Sequence, residues 1–167
     1  RSQLRDVDNL DFRPKADSTL IDAGAQIKGK TNFFLGEAPD IGPYEFGALD
    51  YWIPGFQDKA ASKPVPPALS TTVKIDADLM WLNAYQSTRH QVYFGEEKKA
   101  VEQANLKSKQ YQGEFKHNIF TPKKLKEGKN YYWRVDAVLE GMAERKGEGK
   151  TESKVVKGNV WSFTVEQ

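Results

Sequence analysis

Two stretches near the C-terminus decide the fold: NYYWRVDAVL at residues 130–139 and VWSFTV at residues 160–165. Both are rich in the β-branched and aromatic residues that favour strands. Successive side chains of a strand point to opposite faces, so the second stretch places Trp161, Phe163 and Val165 together on one face. We expect that face to lie in the core.

Four shorter runs of the same kind precede these two, at residues 71–75, 79–82, 89–95 and 114–120, with turn residues between them. This spacing predicts an all-β sandwich of about 100 residues. Trp133 and Trp161 fall in the two strands expected to pair, so we expect cross-strand aromatic packing there.

Two further segments of this region differ in composition. Residues 98–109 are rich in helix formers and predict a short helical or irregular crossing. Residues 141–158 are rich in Lys, Glu and Gly and predict a mobile hairpin loop.

The chain divides at a proline-rich stretch. With 167 residues, of which 38% are hydrophobic and 12% aromatic, it can bury one ordinary core. Pro64, Pro66 and Pro67 remove backbone donors and force extended geometry, so residues 59–67 are predicted to be a linker. It separates residues 1–58 from a sandwich at residues 68–167. The apolar pieces within residues 11–55 are too short to bury themselves, so this part is expected to pack on something larger.

Charge and cysteine content narrow the function classes. The 25 basic and 23 acidic residues leave a net charge of +2 without a one-signed face, which argues against a nucleic-acid partner. The absence of cysteine removes disulfides and thiolate chemistry. No apolar run approaches the roughly 20 residues of a membrane span. The first residues lack a signal-peptide pattern, so any export is expected to be directed by sequence upstream.

Metal and cofactor binding are not predicted. Asp6, Asp8 and Asp11 resemble a calcium loop in spacing, but Leu10 stands where a ligand oxygen is needed, so a solvated acidic turn is the favoured interpretation. His90 and His117 lack a second ligand at i+2 or i+4 and are interpreted as surface or half-buried strand histidines. No cofactor is expected.

No catalytic residue is predicted either. Asp17, Asp22, Asp40 and Glu45 fall in turns, where a carboxylate typically accepts hydrogen bonds from the backbone. Lone catalysis by this chain is therefore disfavoured.

Tyr51 and Trp52 form the one candidate for ligand contact. Adjacent residues in an extended segment point to opposite sides, so one ring is expected to pack and the other to be exposed. Either ring is a candidate contact for a sugar. The favoured interpretation of the pair is a hydrophobic clasp between the two parts of the chain.

The N-terminal segment resembles the C-terminal end of a known class of protein. DFRPKADSTLIDAG at residues 11–24, followed by APDIGPYEFG at residues 38–47, is similar to the closing coil of right-handed parallel β-helix proteins, such as pectate-lyase-like polysaccharide lyases and related glycoside hydrolases. The resemblance implies that residues 1–58 are the terminal coil and cap, and that an upstream β-helix catalytic domain is the partner. Five side chains would cover the end of its core: Leu20, Ile21, Ile41, Tyr44 and Phe46.

The second segment, from Pro66 to the end, resembles a fibronectin-III-like domain of bacterial carbohydrate-active enzymes. The resemblance rests on four runs: LMWL at 79–82, QVYFG at 91–95, NYYWRVDAV at 130–138 and GNVWSFT at 158–164. It implies a seven-stranded fibronectin-III/immunoglobulin-like sandwich in which Trp81 fills the core between two sheets. It also implies that the hydroxyl of Tyr131 or Tyr132 makes the hydrogen bond of a tyrosine corner.

Together the two resemblances imply a non-catalytic C-terminal accessory region of a bacterial polysaccharide-degrading enzyme that is secreted, periplasmic or on the cell surface. Two alternatives stay open. The chain could be a carbohydrate-binding module that uses exposed aromatic residues, or one fragment of a cleaved enzyme that contributes a wall of its substrate groove.

Overall fold

The computed structural model describes residues 2–140 and 153–167. Strands and one short helix are the regular elements of this part, so the predicted all-β class is confirmed. In chain order they are β1 (Leu4–Asp6), β2 (Asp11–Pro14), β3 (Ser62–Val65), β4 (Ser70–Val73), β5 (Leu79–Leu82), β6 (Ser87–Gly95), α1 (Lys98–Glu102), β7 (Tyr111–Phe115), β8 (Ile119–Phe120), β9 (Asn130–Leu139), β10 (Lys154–Val156) and β11 (Val160–Val165).

Nine of these strands form two sheets, which we call the two-sheet body (residues 61–140 and 153–167). The larger sheet has the order β4-β11-β9-β6-β7, with β10 also paired to β9, and the smaller sheet has the order β3-β5-β8. The pairs are antiparallel except β4 and β11, which are parallel. The predicted strands at 79–82, 130–139 and 160–165 are confirmed to the residue.

Aromatic residues fill the space between the sheets. Trp81, on the smaller sheet, is fully buried, and its ring centroid lies 6.3 Å from that of Trp133 on the larger sheet. Trp133 is paired directly with Trp161, with centroids 4.7 Å apart in an edge-to-face arrangement. These contacts confirm the predicted packing of all three tryptophans. Burying each such ring stabilises the fold by about 1.5–3 kcal/mol.

The structure differs from the predicted strands in two places. The run at 114–120 divides into β7 and β8, which belong to different sheets, because the chain turns at residues 116–118. Residues 62–65 of the predicted linker form β3, whose Val65 pairs with Met80 of β5. The extended geometry predicted there is interrupted at Lys63, which has a φ of 47° directly before Pro64. β3 is an edge strand and tolerates a proline because one side needs no partner.

Two other predicted segments each contain one short regular element. The crossing at 98–109 begins with α1, which has five residues. Of the predicted loop at 141–158, residues 154–156 form β10, and residues 141–152 lie outside the described part.

The short helix α1 is tied to the larger sheet by a buried arginine. Arg134 on β9 donates hydrogen bonds to the carbonyl oxygens of Val101, Glu102 and Ala104 at the C-terminal end of the helix, at 2.6–2.9 Å. Its charge is balanced by Asp136, 2.8 Å away. The guanidinium therefore satisfies carbonyls that a helix end leaves without partners.

The N-terminal segment (residues 2–60) contains the hairpin β1–β2 followed by a series of turns. Asp22 Oδ1 accepts hydrogen bonds from the backbone N–H groups of Glu37 and Ala38, at 2.8 and 3.0 Å. Asp40 accepts from Asp22 N at 2.9 Å and Phe46 N at 2.6 Å. Backbone bonding by Asp22 and Asp40 is thus confirmed, while the assignment of this segment as a β-helix cap stays a prediction.

Buried ion pairs join the hairpin to the two-sheet body. Arg13 donates to both Asp11 and Asp78 at 2.7 Å, and Arg5 lies 3.3 Å from the same two carboxylates. Burial by itself would lower the pKa of Arg13, but its hydrogen bonds and charge interactions with the two aspartates outweigh burial and raise that pKa.

The interpretation of Asp6 and Asp11 as part of a solvated acidic turn is wrong. Both are buried. Asp6 accepts a hydrogen bond from Asn9 at 2.8 Å and lies 3.8 Å from the Lys74 ammonium, so protein groups replace water around it. Spacing along the chain does not reveal that Asp6 lies beside Lys74, because Lys74 comes from the two-sheet body. Asp11 is paired within the hairpin by Arg5 and Arg13, whose charges the pattern of aspartates does not show.

Candidate functional site

An open groove lies where the end of the N-terminal segment crosses the two-sheet body. It encloses about 800 Å³, which is within the usual range for ligand clefts. We call it the aromatic groove, because three exposed aromatic side chains line it: Trp52, Phe56 and Tyr85. The polar residues along its walls include Asp50, Gln57, Asn83, Lys116 and Asn118.

Asn118 fixes one wall of the groove. This buried residue lies in the turn between β7 and β8, and its amide nitrogen donates to the carbonyl oxygens of Tyr51 and Trp81 at 2.7 Å each. Its amide oxygen accepts from Tyr51 N at 2.8 Å. One side chain thereby attaches the backbone of the N-terminal segment to β5, much as a paired strand would.

Tyr51 is the packed member of the predicted pair. Its ring stacks on Tyr44 with centroids 4.4 Å apart, and the Arg13 guanidinium lies 5.9 Å from its centroid. The hydroxyl donates to Leu10 O and accepts from Phe12 N at 3.2 Å. Burial raises the pKa of this hydroxyl, and the hydrogen bond from the Phe12 backbone opposes that rise in part. Only 3% of Tyr51 is exposed, so it forms the clasp and offers no ring face to a ligand.

Trp52 is the exposed member of the pair, as the alternation in an extended segment requires. It is 64% exposed, and its carbonyl oxygen accepts a hydrogen bond from the Tyr44 hydroxyl at 2.8 Å. The backbone of Trp52 is therefore held in place while its indole faces solvent.

Phe56, Tyr85 and Asn118 were not predicted as site residues. Phe56 is 92% exposed and Tyr85 is 61% exposed, and the N–H of Tyr85 donates to Asp58 O at 2.8 Å. No local pattern could have found Tyr85 or Asn118, because they reach the groove from separate turns of the two-sheet body. Only Phe56, four residues after Trp52, gave a signal in the sequence.

The two predicted corner tyrosines differ in environment. The Tyr132 hydroxyl accepts a hydrogen bond from Asn130 Nδ2 at 2.9 Å. The Tyr131 hydroxyl is buried and has no partner of standard hydrogen-bond geometry among the described residues. Burial raises its pKa, and the nearby Lys126 backbone acts in the opposite direction.

The histidines lie apart from any candidate catalytic group. His90 on β6 is 1% exposed and contacts Trp81 edge to face, with centroids 5.4 Å apart, so its interpretation as a surface or half-buried histidine is wrong. His117 lies in the turn between β7 and β8 rather than on a strand. Burial lowers the pKa of His90 to about 4, with a further lowering from His117 that Asp50 partly opposes. Within residues 2–140 and 153–167, no group of three or more His, Asp or Glu residues is placed to share a metal ion.

The carboxylates considered for catalysis are largely engaged with the backbone. Besides Asp22 and Asp40, Glu45 accepts hydrogen bonds from Leu35 N and Asp40 N, both at 3.2 Å. These contacts agree with the predicted role of these carboxylates in turns.

Comparison with protein-family models, with curated proteins and with solved structures gave no match. Among the described residues, no helix has both the length and the apolar character needed to cross a bilayer.

Proposed function

We propose that this chain is a non-catalytic accessory region at the C-terminal end of an exported polysaccharide-degrading enzyme. In this proposal the N-terminal segment covers the end of an upstream parallel β-helix, and the two-sheet body is a fibronectin-III-like sandwich that braces or spaces it. The three-stranded sheet β3-β5-β8 faces a larger sheet that contains the order β11-β9-β6-β7. This arrangement supports the sandwich assignment.

The observation that carries the proposal is the distribution of exposed apolar side chains. Ten of the fifteen large hydrophobic side chains that are exposed lie in residues 2–60, although this segment supplies fewer than half of the described residues. An apolar surface of this kind typically marks an interface. The end of a solenoid exposes an unpaired core and needs such a covering segment.

A cavity of about 400 Å³ lies on the N-terminal segment, and Ile41 among its lining residues belongs to the exposed set. Trp52 also reaches this cavity, and apolar residues line it: Leu4, Phe12, Leu20, Ile41 and Pro43. We call these five residues the cap face. Two of them, Leu20 and Ile41, are among the side chains that, by the resemblance to β-helix ends, would cover the end of the solenoid core.

The intact mass of the native gene product tests this proposal. An antibody raised against the chain would recover the product from its source, and we expect a mass far above 18.9 kDa. Copurification of a separate upstream fragment would instead support the cleaved form of the enzyme. A native mass near 18.9 kDa without a partner would contradict the proposal.

A pair of variants tests the cap face itself. Ile41 is 51% exposed, so Ile41→Asp should change the stability of the isolated chain by less than about 1 kcal/mol. In the longer native protein the same change should cost about 2 kcal/mol or more, because it buries a charge. Leu69→Asp, at a 78% exposed position of the two-sheet body, is the control and should be tolerated in both.

A further inference from the structure

We propose that the aromatic groove binds an uncharged oligosaccharide. This inference stands on the groove alone and does not depend on an upstream solenoid. It also assigns the binding surface to residues from both parts of the chain rather than to Trp52 by itself.

The first argument is the convergence of exposed aromatic rings. Trp52, Phe56 and Tyr85 are 64%, 92% and 61% exposed, and all three line one groove. Large aromatic side chains normally bury most of their surface. Sugar rings present C–H faces that stack on such rings, while their hydroxyl groups stay free for polar contacts.

The second argument is the polar composition of the walls. Gln57 and Asn83 provide side-chain amides, which both donate and accept hydrogen bonds as sugar hydroxyls require. The charged residues along the groove are one carboxylate, Asp50, and one ammonium, Lys116, among its lining residues. Their charges balance, so a polyanion would gain no net attraction and a neutral glycan is the better match.

The third argument is the rigidity of the segment that carries Trp52 and Phe56. Besides the bonds of Asn118 to Tyr51, the Lys63 ammonium donates to Pro54 O at 2.5 Å. Gly55 has a φ of 139°, and a Cβ there would meet the Lys63 ammonium at 1.9 Å, so the ammonium fits only under a glycine. The backbone that carries the two rings is thus tied to the two-sheet body before a ligand arrives, which reduces the entropy cost of binding.

The experiment is calorimetric titration of the 167-residue chain with hexasaccharides. The neutral probes are cellohexaose, mannohexaose and neoagarohexaose, and the anionic comparators are hexagalacturonate and an alginate hexamer. We expect at least one neutral probe to bind with a Kd below about 1 mM. Trp52→Ala and Tyr85→Ala should each weaken that binding about tenfold or more.

The matched control is Phe33→Ala, which removes an aromatic ring that is 96% exposed but lies outside the groove. It should leave the affinity unchanged, as should Ile41→Asp on the cap face. Unchanged affinity in Ile41→Asp would show that glycan binding does not depend on the cap face, so this inference can fail or succeed independently of the proposed function. Thermal unfolding of each variant shows whether the fold is retained.

Three results would overturn the inference. The first is that none of the neutral probes binds at millimolar concentration, whether or not the anionic ones do. The second is that Trp52→Ala and Tyr85→Ala bind as the parent chain does. The third is self-association of the parent chain that Trp52→Ala abolishes, since the groove would then be a contact between copies.

Discussion

The imidazole of His90 is held in its neutral form by the core around it. Charging it would require an ion in a site that Trp81 and the β6–β9 pairing close to water. Its pKa of about 4, against an ordinary value of 6.5, means that the unfolded chain takes up a proton at a higher pH than the folded one.

This difference predicts a pH dependence of stability. The contribution of His90 is fully present above about pH 6.5 and is lost as the pH falls towards 4, because only the unfolded state is protonated in that window. We expect a loss of about 3 kcal/mol in the free energy of unfolding. Urea denaturation across that range should show a steeper fall for the parent chain than for His90→Gln.

The control for this measurement is His117→Gln. It should keep most of the steep fall, because burial is a larger cause of the lowered pKa of His90 than His117 is. If the free energy of unfolding fell equally with pH in the parent chain and in His90→Gln, the assignment of this pH dependence to His90 would be wrong.

At the scale of elements, the turn between β7 and β8 does more than connect two strands. Asn118 in this turn replaces a strand partner for the backbone of Tyr51, which has no neighbouring strand of its own. The turn therefore holds the segment that forms one wall of the aromatic groove.

We expect Asn118→Leu, a change of similar volume, to release that segment. Leucine leaves three buried backbone groups without partners, so the free energy of unfolding should fall by about 3 kcal/mol. Cleavage by chymotrypsin within residues 50–58 should become about tenfold faster or more. Asn130→Leu, at an exposed position of β9, should alter neither quantity, and unchanged cleavage in Asn118→Leu would argue against the clamp.

At the scale of the whole molecule, the ion pairs at Asp78 couple the hairpin to the two-sheet body. Asp78 accepts hydrogen bonds from Arg13 and Thr121 and pairs with Arg5, so it contacts both parts of the chain. Because these groups are largely shielded from water, removing one charge leaves the others poorly compensated.

This coupling predicts a single cooperative thermal transition for the parent chain. Asp78→Asn should lower the midpoint and broaden or divide the transition in calorimetry, at a cost of about 3 kcal/mol. Asp76→Asn, two residues away and exposed, should behave as the parent chain does. An Asp78→Asn variant with an unchanged, single transition would mean that the apolar contacts alone join the two parts.

Local sequence patterns were enough to predict the all-β class and the longest strands. Residues 130–139 and 160–165 alternate and are rich in aromatic residues. Their local preference for the strand conformation and their burial in the core therefore favour the same structure. The sequence also predicted that Asp22 and Asp40 bond the backbone, but it did not identify the donors, most of which lie 15 to 18 residues away in the chain. The alternation of Tyr51 and Trp52 followed from strand geometry alone.

The remaining features depend on contacts between residues that are far apart in the chain. β3 pairs in a stretch that its prolines suggested was a linker, since an edge strand needs hydrogen bonds on one side only. Asp6 is buried beside Lys74, which is more than 60 residues away in the chain. Asp11 is buried beside Arg5 and Arg13, which also pair with Asp78 of the two-sheet body. The aromatic groove likewise joins Trp52 and Phe56 to Tyr85 and Asn118, and such a site exists only once the fold brings distant turns together.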